Sequence, residues 1–372
     1  MIQKIKRLIS DCFYALKWWR TKRNTDKQFK EISDGMIIRK LTVQQEQEIK
    51  AYYQSMLGVD VSTKWHRLAY SLTGIYDKHI LPNDIYVGYI QPALIDYRIK
   101  VAYDDKNLFI RLLPFANHPR KIVQCANGLF YNSDGTMTRE QAIDLCRNID
   151  EAIIKPTLFT NSGKNVEKLV VKNGVTNLDN RTIGEVFDKY GKNFVIEELA
   201  KQHPAMASLN PSSLNTIRVI TFRKEDEVLI CMAICRIGKP GNVVDNFAAG
   251  GMGCVVKEDG YLSEYAYTKV YSEKKNKTYT DIVLKDFRIP GFENVKAFVK
   301  KAHLAMPQFL LLAWDIAIGE DEQPIFIEYN TNFCNLFELE QGQALFGKYT
   351  DEILPIVRAE HERRQKRSIY IC

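Results

Sequence analysis

The sequence has no uninterrupted apolar run near the roughly 18 residues that a membrane-spanning helix needs. Its N-terminus lacks the apolar stretch and small-residue site of a secretory leader. The eight cysteines include no CxxC pair, and Cys231 and Cys235 share one face of a strand-like segment with no histidine beside them. That pattern argues against a zinc site and for reduced thiols in a cytoplasmic protein. Histidine is scarce, at six, and no Ser–His or Cys–His arrangement points to a covalent nucleophile. Positive charge is not concentrated either. The formal balance is +7, with much of the excess near the two ends, which fits tails better than a nucleic-acid groove. What remains is an ordinary globular composition, 45% hydrophobic and 26% charged, over 372 residues, enough for two or three subdomains.

The most informative stretch is Leu310 to Asn330, LLLAWDIAIGEDEQPIFIEYN. Two apolar runs rich in β-branched and aromatic residues flank a polar tip, so it reads as a hairpin. Alternation puts Leu312, Trp314, Ile316 and Ile318 on one face of the first strand and Ala313, Asp315 and Ala317 on the other. On the second strand Ile325, Ile327 and Tyr329 alternate with Phe326, Glu328 and Asn330. A symmetric tip sets Ile318 opposite Gln323 or Pro324, and the second register is expected to bring Asp315 opposite Glu328. Like charges placed so are destabilising without a proton, a cationic side chain or a metal. With Asn330 they form an all-oxygen set suited to Mg²⁺, with Mn²⁺ as the alternative ion. The plainer reading of either carboxylate alone is an edge-strand charge facing water.

Asp315…Glu328-Tyr329-Asn330 resembles the metal-binding strand pair of the ATP-grasp superfamily, to which biotin carboxylase and D-alanine–D-alanine ligase belong. There such residues hold Mg²⁺ on the phosphates of ATP. The resemblance implies a role for Lys106, in Asp105-Lys106, and for Lys155, at the end of Ala152–Lys155, as contacts to the nucleotide phosphates. It implies that Ser162 and Gly163 belong to a loop closing over the β- and γ-phosphates through backbone N–H groups. The loop has one glycine, and a plain hairpin turn would also account for it. Asn193 to Leu199 resembles the superfamily's hinge, which implies that Glu197, Glu198 and Leu199 line the adenine site and that His203 lies near the ribose. Lys155 is expected to lack a protein partner.

Arg218 and Arg236 lie inside apolar strands, where an unpaired cation is costly. Each therefore needs an anionic partner, either a structural carboxylate or a substrate group. Gly250-Gly251 would allow close backbone approach to a ligand. Together the segments SLNTIRV, RIGK, VVDNFAAGG, AWDIAI and IEYN resemble the sugar-transfer-associated ATP-grasp family, linked with surface-polysaccharide pathways. Several ATP-grasp ligases place an arginine two residues before the first metal acid. This chain has Ala313 there, so Arg218 or Arg236 is expected to take over.

Elsewhere, residues 1–30 form a basic amphipathic helical segment suited either to an anionic membrane surface, through residues 1–24, or to the protein's own body. Residues 40–80 read as helices, Pro82-Asn83-Asp84 as a break, Ile85–Ile99 as a connecting loop and Ile122–Tyr131 as one strand. The expected fold is α+β, an ATP-grasp fold with two α+β subdomains clasping ATP after a mostly helical N-terminal region. Its expected segments are 1–30, 31–100, 101–200, 201–355 with the metal site, and a basic tail at 356–372. The resemblance implies an ATP- and Mg²⁺-dependent ligase that joins a carboxylate to an amine or other nucleophile through an acyl phosphate. Its substrate is expected to be a small molecule or glycan precursor, with no nucleic acid and with glycan-assembly proteins as partners. The expected location is cytoplasmic, at the inner face of the membrane. A kinase on the same scaffold and a non-catalytic nucleotide-binding component of a glycan-assembly complex are the alternatives.

Overall fold

The computed structural model describes residues 2–158, 163–243, 245, 247–268 and 273–366. Its strands form two antiparallel sheets of seven. The first contains β1 (Lys121–Ala126), β2 (Leu129–Asn132), β3 (Gly135–Met137), β4 (Ile149–Pro156), β5 (Glu167–Lys172), β6 (Val175–Thr176) and β7 (Asn193–Glu198). Their order is β3-β2-β1-β7-β4-β5-β6. The single strand expected over Ile122–Tyr131 is in fact a hairpin, β1–β2. Asn127 and Gly128 both have positive φ, 49° and 87°, and turn the chain there. An Asn-Gly pair between apolar runs is a strong hairpin signal, because both positions must tolerate the left-handed region. The inner face of this sheet packs on the helices Arg139–Leu145 and Ile183–Tyr190 through Ala142, Ile183, Val186 and Phe187. Both helices begin with a capping box, at Thr138 with Gln141 and at Thr182 with Glu185.

The second sheet contains β8 (Thr216–Lys224), β9 (Glu227–Ile237), β10 (Met252–Val255), β11 (Ala266–Tyr267), β12 (Lys274–Lys275), β13 (Leu311–Ile318) and β14 (Pro324–Asn330). Their order is β12-β11-β10-β9-β8-β13-β14. Every residue of β13 is buried, because apolar layers cover both faces. One layer gathers Trp314, Ile316 and Ile318 against helix Phe292–Leu304. The other gathers Leu311, Ala313, Ile220, Phe222 and Ile234 against N-terminal helices and the C-terminal helix Thr350–Lys366.

The β13–β14 ladder departs from strict alternation. Ile318 faces Pro324 and Ile316 faces Phe326, yet Asp315 faces Glu328. Ile327 is an extra residue, a bulge. An unbroken ladder from Ile318↔Pro324 would have set Asp315 opposite Ile327. The bulge shifts the register by one and so delivers Glu328 to Asp315. It also moves Phe326 to the face expected for Ile325, where it packs on Trp314 with ring centroids 6.2 Å apart.

The helical region comprises α1 (Ile2–Ser33), α2 (Val43–Leu57), α3 (Lys64–Thr73) and further helical segments from Asn83 to Leu94. Ile85–Ile99 is thus helical for most of its length rather than a loop. Pro82 and Asn83 start that helix instead of ending one, since a fixed φ and a missing N–H cost nothing at a helix N-terminus. The later part of α1 is docked. Phe29 meets Trp65 edge-on at 5.3 Å, Gln28 Oε1 accepts from Asn83 Nδ2 at 2.9 Å, and Asp26 pairs with Lys64. Among the described residues no helix is long and apolar enough to cross a membrane.

Trp18 of α1 packs directly over Gly88. A Cβ there would lie 2.4 Å from Trp18 Cζ3 and 2.6 Å from its Cε3. Gly88→Ala gains up to about 1 kcal/mol of helix propensity but forces the indole away, and overpacking costs about 1–3 kcal/mol. We expect a lower melting temperature and faster limited proteolysis within α1. Wild-type proteolysis rates would refute the docking.

Candidate active site

Strand alternation sends Arg218 of β8, Arg236 of β9 and Asp315 of β13 to one face of the second sheet. Their ladders align them, with Arg218 opposite Asp315 and Thr216 opposite Arg236. Asp315 is only 2% exposed. Arg218 holds its carboxylate as a fork, Nε donating to Oδ1 at 2.7 Å and Nη2 to Oδ2 at 2.6 Å. Arg236 donates from Nη1 to the same Oδ2 at 2.9 Å and places Nη2 3.0 Å from Asp245 Oδ1. Asp245 Oδ2 accepts from the Thr216 amide at 3.0 Å and also from the Thr216 hydroxyl. Two guanidiniums and two carboxylates therefore neutralise one another on a buried face. Burial would push the Asp315 carboxyl up, but the charges of Arg218 and Arg236 outweigh it and hold it well below the usual range. At Asp245 burial prevails over Arg236, and the carboxyl is raised.

Asn330 joins this group from β14. Its Nδ2 donates to Asp315 Oδ2 at 3.3 Å and to Glu328 Oε1 at 3.4 Å. The Glu328 side chain is 29% exposed, so the set opens toward solvent on that side. Among the described residues, the hydrogen bond that Asp315 Oδ1 accepts comes from Arg218, and a carboxylate oxygen carries a second lone pair. Amide oxygen and nitrogen are assigned from their partners, and turning the Asn330 amide over would present an oxygen between the two carboxylates. Among the described residues no group of three or more Asp, Glu, His or Cys gathers for a metal. Two carboxylates and an amide nonetheless fit a hard divalent ion that completes its shell with water and phosphate oxygens.

Lys106 links this face to the first sheet. Its amide donates to the Thr157 carbonyl, just past β4, at 3.1 Å, and its ammonium stands 3.6 Å from Glu328 Oε2. On the first sheet, Lys155 of β4 and Lys121 of β1 flank Glu197 of the intervening β7, and both contact its carboxylate. Lys155 therefore has a protein partner, contrary to the expectation from sequence. Facing strands bring Glu197 to it, a pairing that chain separation hides. Burial would raise the Glu197 carboxyl, and the two ammonium charges reverse that to about 2. Two lysines on one carboxylate leave a surplus positive charge on this buried face, which favours an anion.

The other sequence-derived residues lie at the end of β7, in the segment that follows it and in the β4–β5 connection. Glu198 ends β7 at the surface, where Arg120 Nε and Nη2 donate to its Oε1 at 2.9 and 2.5 Å. Leu199 follows, half-buried. His203 is the N-cap of helix Pro204–Leu209. Its Nδ1 accepts from the Ala205 amide at 3.1 Å, and its own amide donates to Ile318 at the end of β13 at 2.7 Å. Gly163 takes φ 65° in the β4–β5 connection, and Ser162 lies outside the described residues. Sequence reasoning missed Asp245, Lys121 and Arg120. Lys121 opens an apolar strand as Lys155 closes one, a symmetry that was legible. A cleft of about 260 Å³ beside Lys121 is lined by Asn107, Arg111, Gln124 and Tyr131.

Two antiparallel sheets, one carrying paired acids and an amide and both carrying convergent cations, are the architecture of an ATP-grasp fold. The profile described as "Sugar-transfer associated ATP-grasp" matches residues 89–353, well over half of the chain. The chain belongs to that family. No curated protein matches it in sequence. Solved structures with a similar trace include the ATP-grasp ligase PsnB complexed with precursor peptide PsnA2 and AMPPNP, at 13% identity and TM-score 0.39, covering 72% of this chain and 62% of that one. An L-amino acid ligase from Bacillus licheniformis is similar at 10% identity and TM-score 0.39, covering 68% of this chain and 47% of its own. A D-alanine–D-alanine ligase from Bacillus anthracis is similar at 13% identity and TM-score 0.38, covering 71% and 68%. The chain thus spans less than two thirds of the first two.

The Glu197 trio makes stability depend on acid. A carboxyl lowered from 4.5 to about 2 contributes stability that is complete above the unfolded value and lost as pH falls through that window. Urea unfolding at pH 7, 4 and 3 is expected to show this loss, and Glu197→Gln to flatten it. Lys155→Ala is expected to cost about 1.5–3 kcal/mol at pH 7, because Lys121 still covers Glu197. An unchanged unfolding midpoint would contradict the pairing.

Proposed function

We propose that this chain is a Mg²⁺-dependent ligase that activates a carboxylate with ATP and joins it to an amine or other nucleophile on a sugar or surface-glycan precursor. The observation that carries this reading is the meeting of Asp315, Glu328 and Asn330 with Arg218, Arg236 and Lys106 on one sheet face. In the first step a substrate carboxylate oxygen attacks the γ-phosphorus, the bond to the β–γ bridging oxygen breaks, and ADP leaves. In the second step the nucleophile attacks the acyl carbon, inorganic phosphate leaves with the electron pair, and the nucleophile loses its proton. A divalent ion on Asp315, Glu328 and Asn330 would offset the charge of the β- and γ-phosphates.

The chain's own cations do the rest. Lys155, with Lys121, offers surplus positive charge to the triphosphate, and Lys106 stands between the sheets beside it. Arg218 and Arg236 hold the acyl phosphate where negative charge develops. Glu198 and Leu199 border the adenine, and His203 the ribose. Catalysis is then mainly positioning and electrostatics.

A hydroxylamine trap tests the acyl phosphate. With Mg²⁺, ATP and a panel of small carboxylic acids, the protein is expected to yield a hydroxamate and ADP. ADP release that requires a hydroxyl acceptor and gives no hydroxamate would make it a kinase. ATP binding without turnover would make it a nucleotide-binding component. Glu328→Gln is expected to lower turnover by about 100-fold or more at an unaltered melting temperature. A loss of only a few-fold would remove Glu328 from the metal set.

The reading places the enzyme at the cytoplasmic face of a membrane, alongside glycan-assembly proteins. Support comes from α1, whose Leu16 and Trp19 are 62% and 58% exposed beside exposed Arg20 and Arg23. Leu16, Trp19, Arg20 and Arg23 share one helix face, suited to an anionic bilayer. Wild-type protein is expected to bind phosphatidylglycerol vesicles but not phosphatidylcholine vesicles. Leu16→Gln with Trp19→Gln is expected to weaken that binding by roughly tenfold or more. Equal binding by the variant would exclude this face.

A further inference from the structure

Arg218 and Arg236 both hold Asp315, but they are not equivalent. Both described bonds of Arg218 go to Asp315, whereas Arg236 divides its guanidinium between Asp315 and Asp245. Asp245 is itself fixed, since the amide and hydroxyl of Thr216 donate to its other oxygen. Thr216 sits opposite Arg236 on the β8–β9 ladder, so the anchor belongs to the sheet. The exposures differ in the same sense, with the Arg218 side chain at 21% and that of Arg236 at 12%. Arg236 thus has a second carboxylate in direct contact and is the less exposed of the two, whereas the direct ion pair described for Arg218 is with Asp315.

A divalent cation placed on Asp315, Glu328 and Asn330 competes with those guanidiniums. It takes electron density from the carboxylate that holds them and repels their charge at short range. Resting on the ligase reading above, we propose that Asp245 is a positioning residue. It keeps Arg236 on the sheet when the cation takes Asp315, so that Arg218 alone is released. The planar fork of Arg218, now without its carboxylate, is the group that receives the carboxylate of the acid substrate. Asp315 occupies the fork that the substrate carboxylate would take. The substrate site is thereby linked to prior loading of the metal.

Mn²⁺ serves as the metal probe and ADP as the nucleotide probe, with free Mn²⁺ read by electron paramagnetic resonance. At saturating ADP, Arg218→Gln removes the competitor for Asp315 and is expected to tighten Mn²⁺ binding by about fivefold or more. Asp245→Asn takes the second carboxylate from Arg236, leaves that charge on Asp315, and is expected to weaken Mn²⁺ binding by a similar factor. Thr216→Ala, which loosens Asp245 without changing any charge, is expected to weaken it in the same direction and stands in if Asp245→Asn fails to fold. Weaker Mn²⁺ binding by Arg218→Gln would overturn the exchange, as would unchanged binding by both the Asp245 and Thr216 variants. Wild-type protein that binds neither ADP nor Mn²⁺ would instead overturn the ligase reading, and the exchange with it.

Discussion

A carboxylate at the centre of a fully buried strand can stay ionised only if cations reach it, and at Asp315 two guanidiniums do. That requirement constrains much of the second sheet. Arg218 must stand across the β8–β13 ladder and Arg236 one strand further out, and both must point to the face that Asp315 uses. Removing one partner of such a pair costs about 3–5 kcal/mol, because the other charge is left buried. Asp245 meets the same group, since Arg236 pairs with it as well as with Asp315. The bulge at Ile327 adds Glu328 and Asn330 to the group instead of an isoleucine.

Buried ion pairs are weak contributors to net stability, and apolar residues of similar volume often serve better. The layers around this sheet supply that alternative in quantity, with Trp314, Ile316 and Ile318 on one side and Phe222, Ile234 and Leu311 on the other. A polar network inside such a sheet therefore calls for a purpose other than holding the fold. The first sheet repeats the arrangement with one carboxylate fewer, as Glu197 is flanked by Lys121 and Lys155 with positive charge in excess. Lys106 stands between the two groups, bonded to the end of β4 by its amide and near Glu328 through its ammonium.

The N-terminal helices are part of this arrangement, although the family match begins only at residue 89. They cover the sheet face that bears Asp315 and fix the segment after β14. Gln91 Nε2 donates to Asn332 Oδ1 at 2.9 Å and to the Phe333 carbonyl at 2.7 Å, and Asn335 Nδ2 donates to the Leu81 carbonyl at 3.0 Å. α1 rests on that layer through Trp18 and Phe29. Its basic face is thus carried on a support that also borders the candidate site.

Local pattern alone determined a good deal. Strand periodicity and the Asp315…Glu328-Tyr329-Asn330 spacing marked the hairpin and its polar face, and the joint motifs pointed to the ATP-grasp family. Each of these depends on residues within a turn or a strand of one another, where side-chain direction follows from backbone geometry. The Asn127-Gly128 turn was equally local and legible, and was missed because the flanking apolar residues read as one run. Only the tertiary structure decided what the charges meet. Glu197 lies 42 residues from Lys155 and 76 from Lys121, and Asp315 lies 97 from Arg218. Strand order makes them neighbours, and strand order is set by how whole sheets bury their apolar faces. The Ile327 bulge belongs to the same level, since one extra residue in a ladder is chosen by packing on both faces and leaves no mark in the spacing of the strand that contains it.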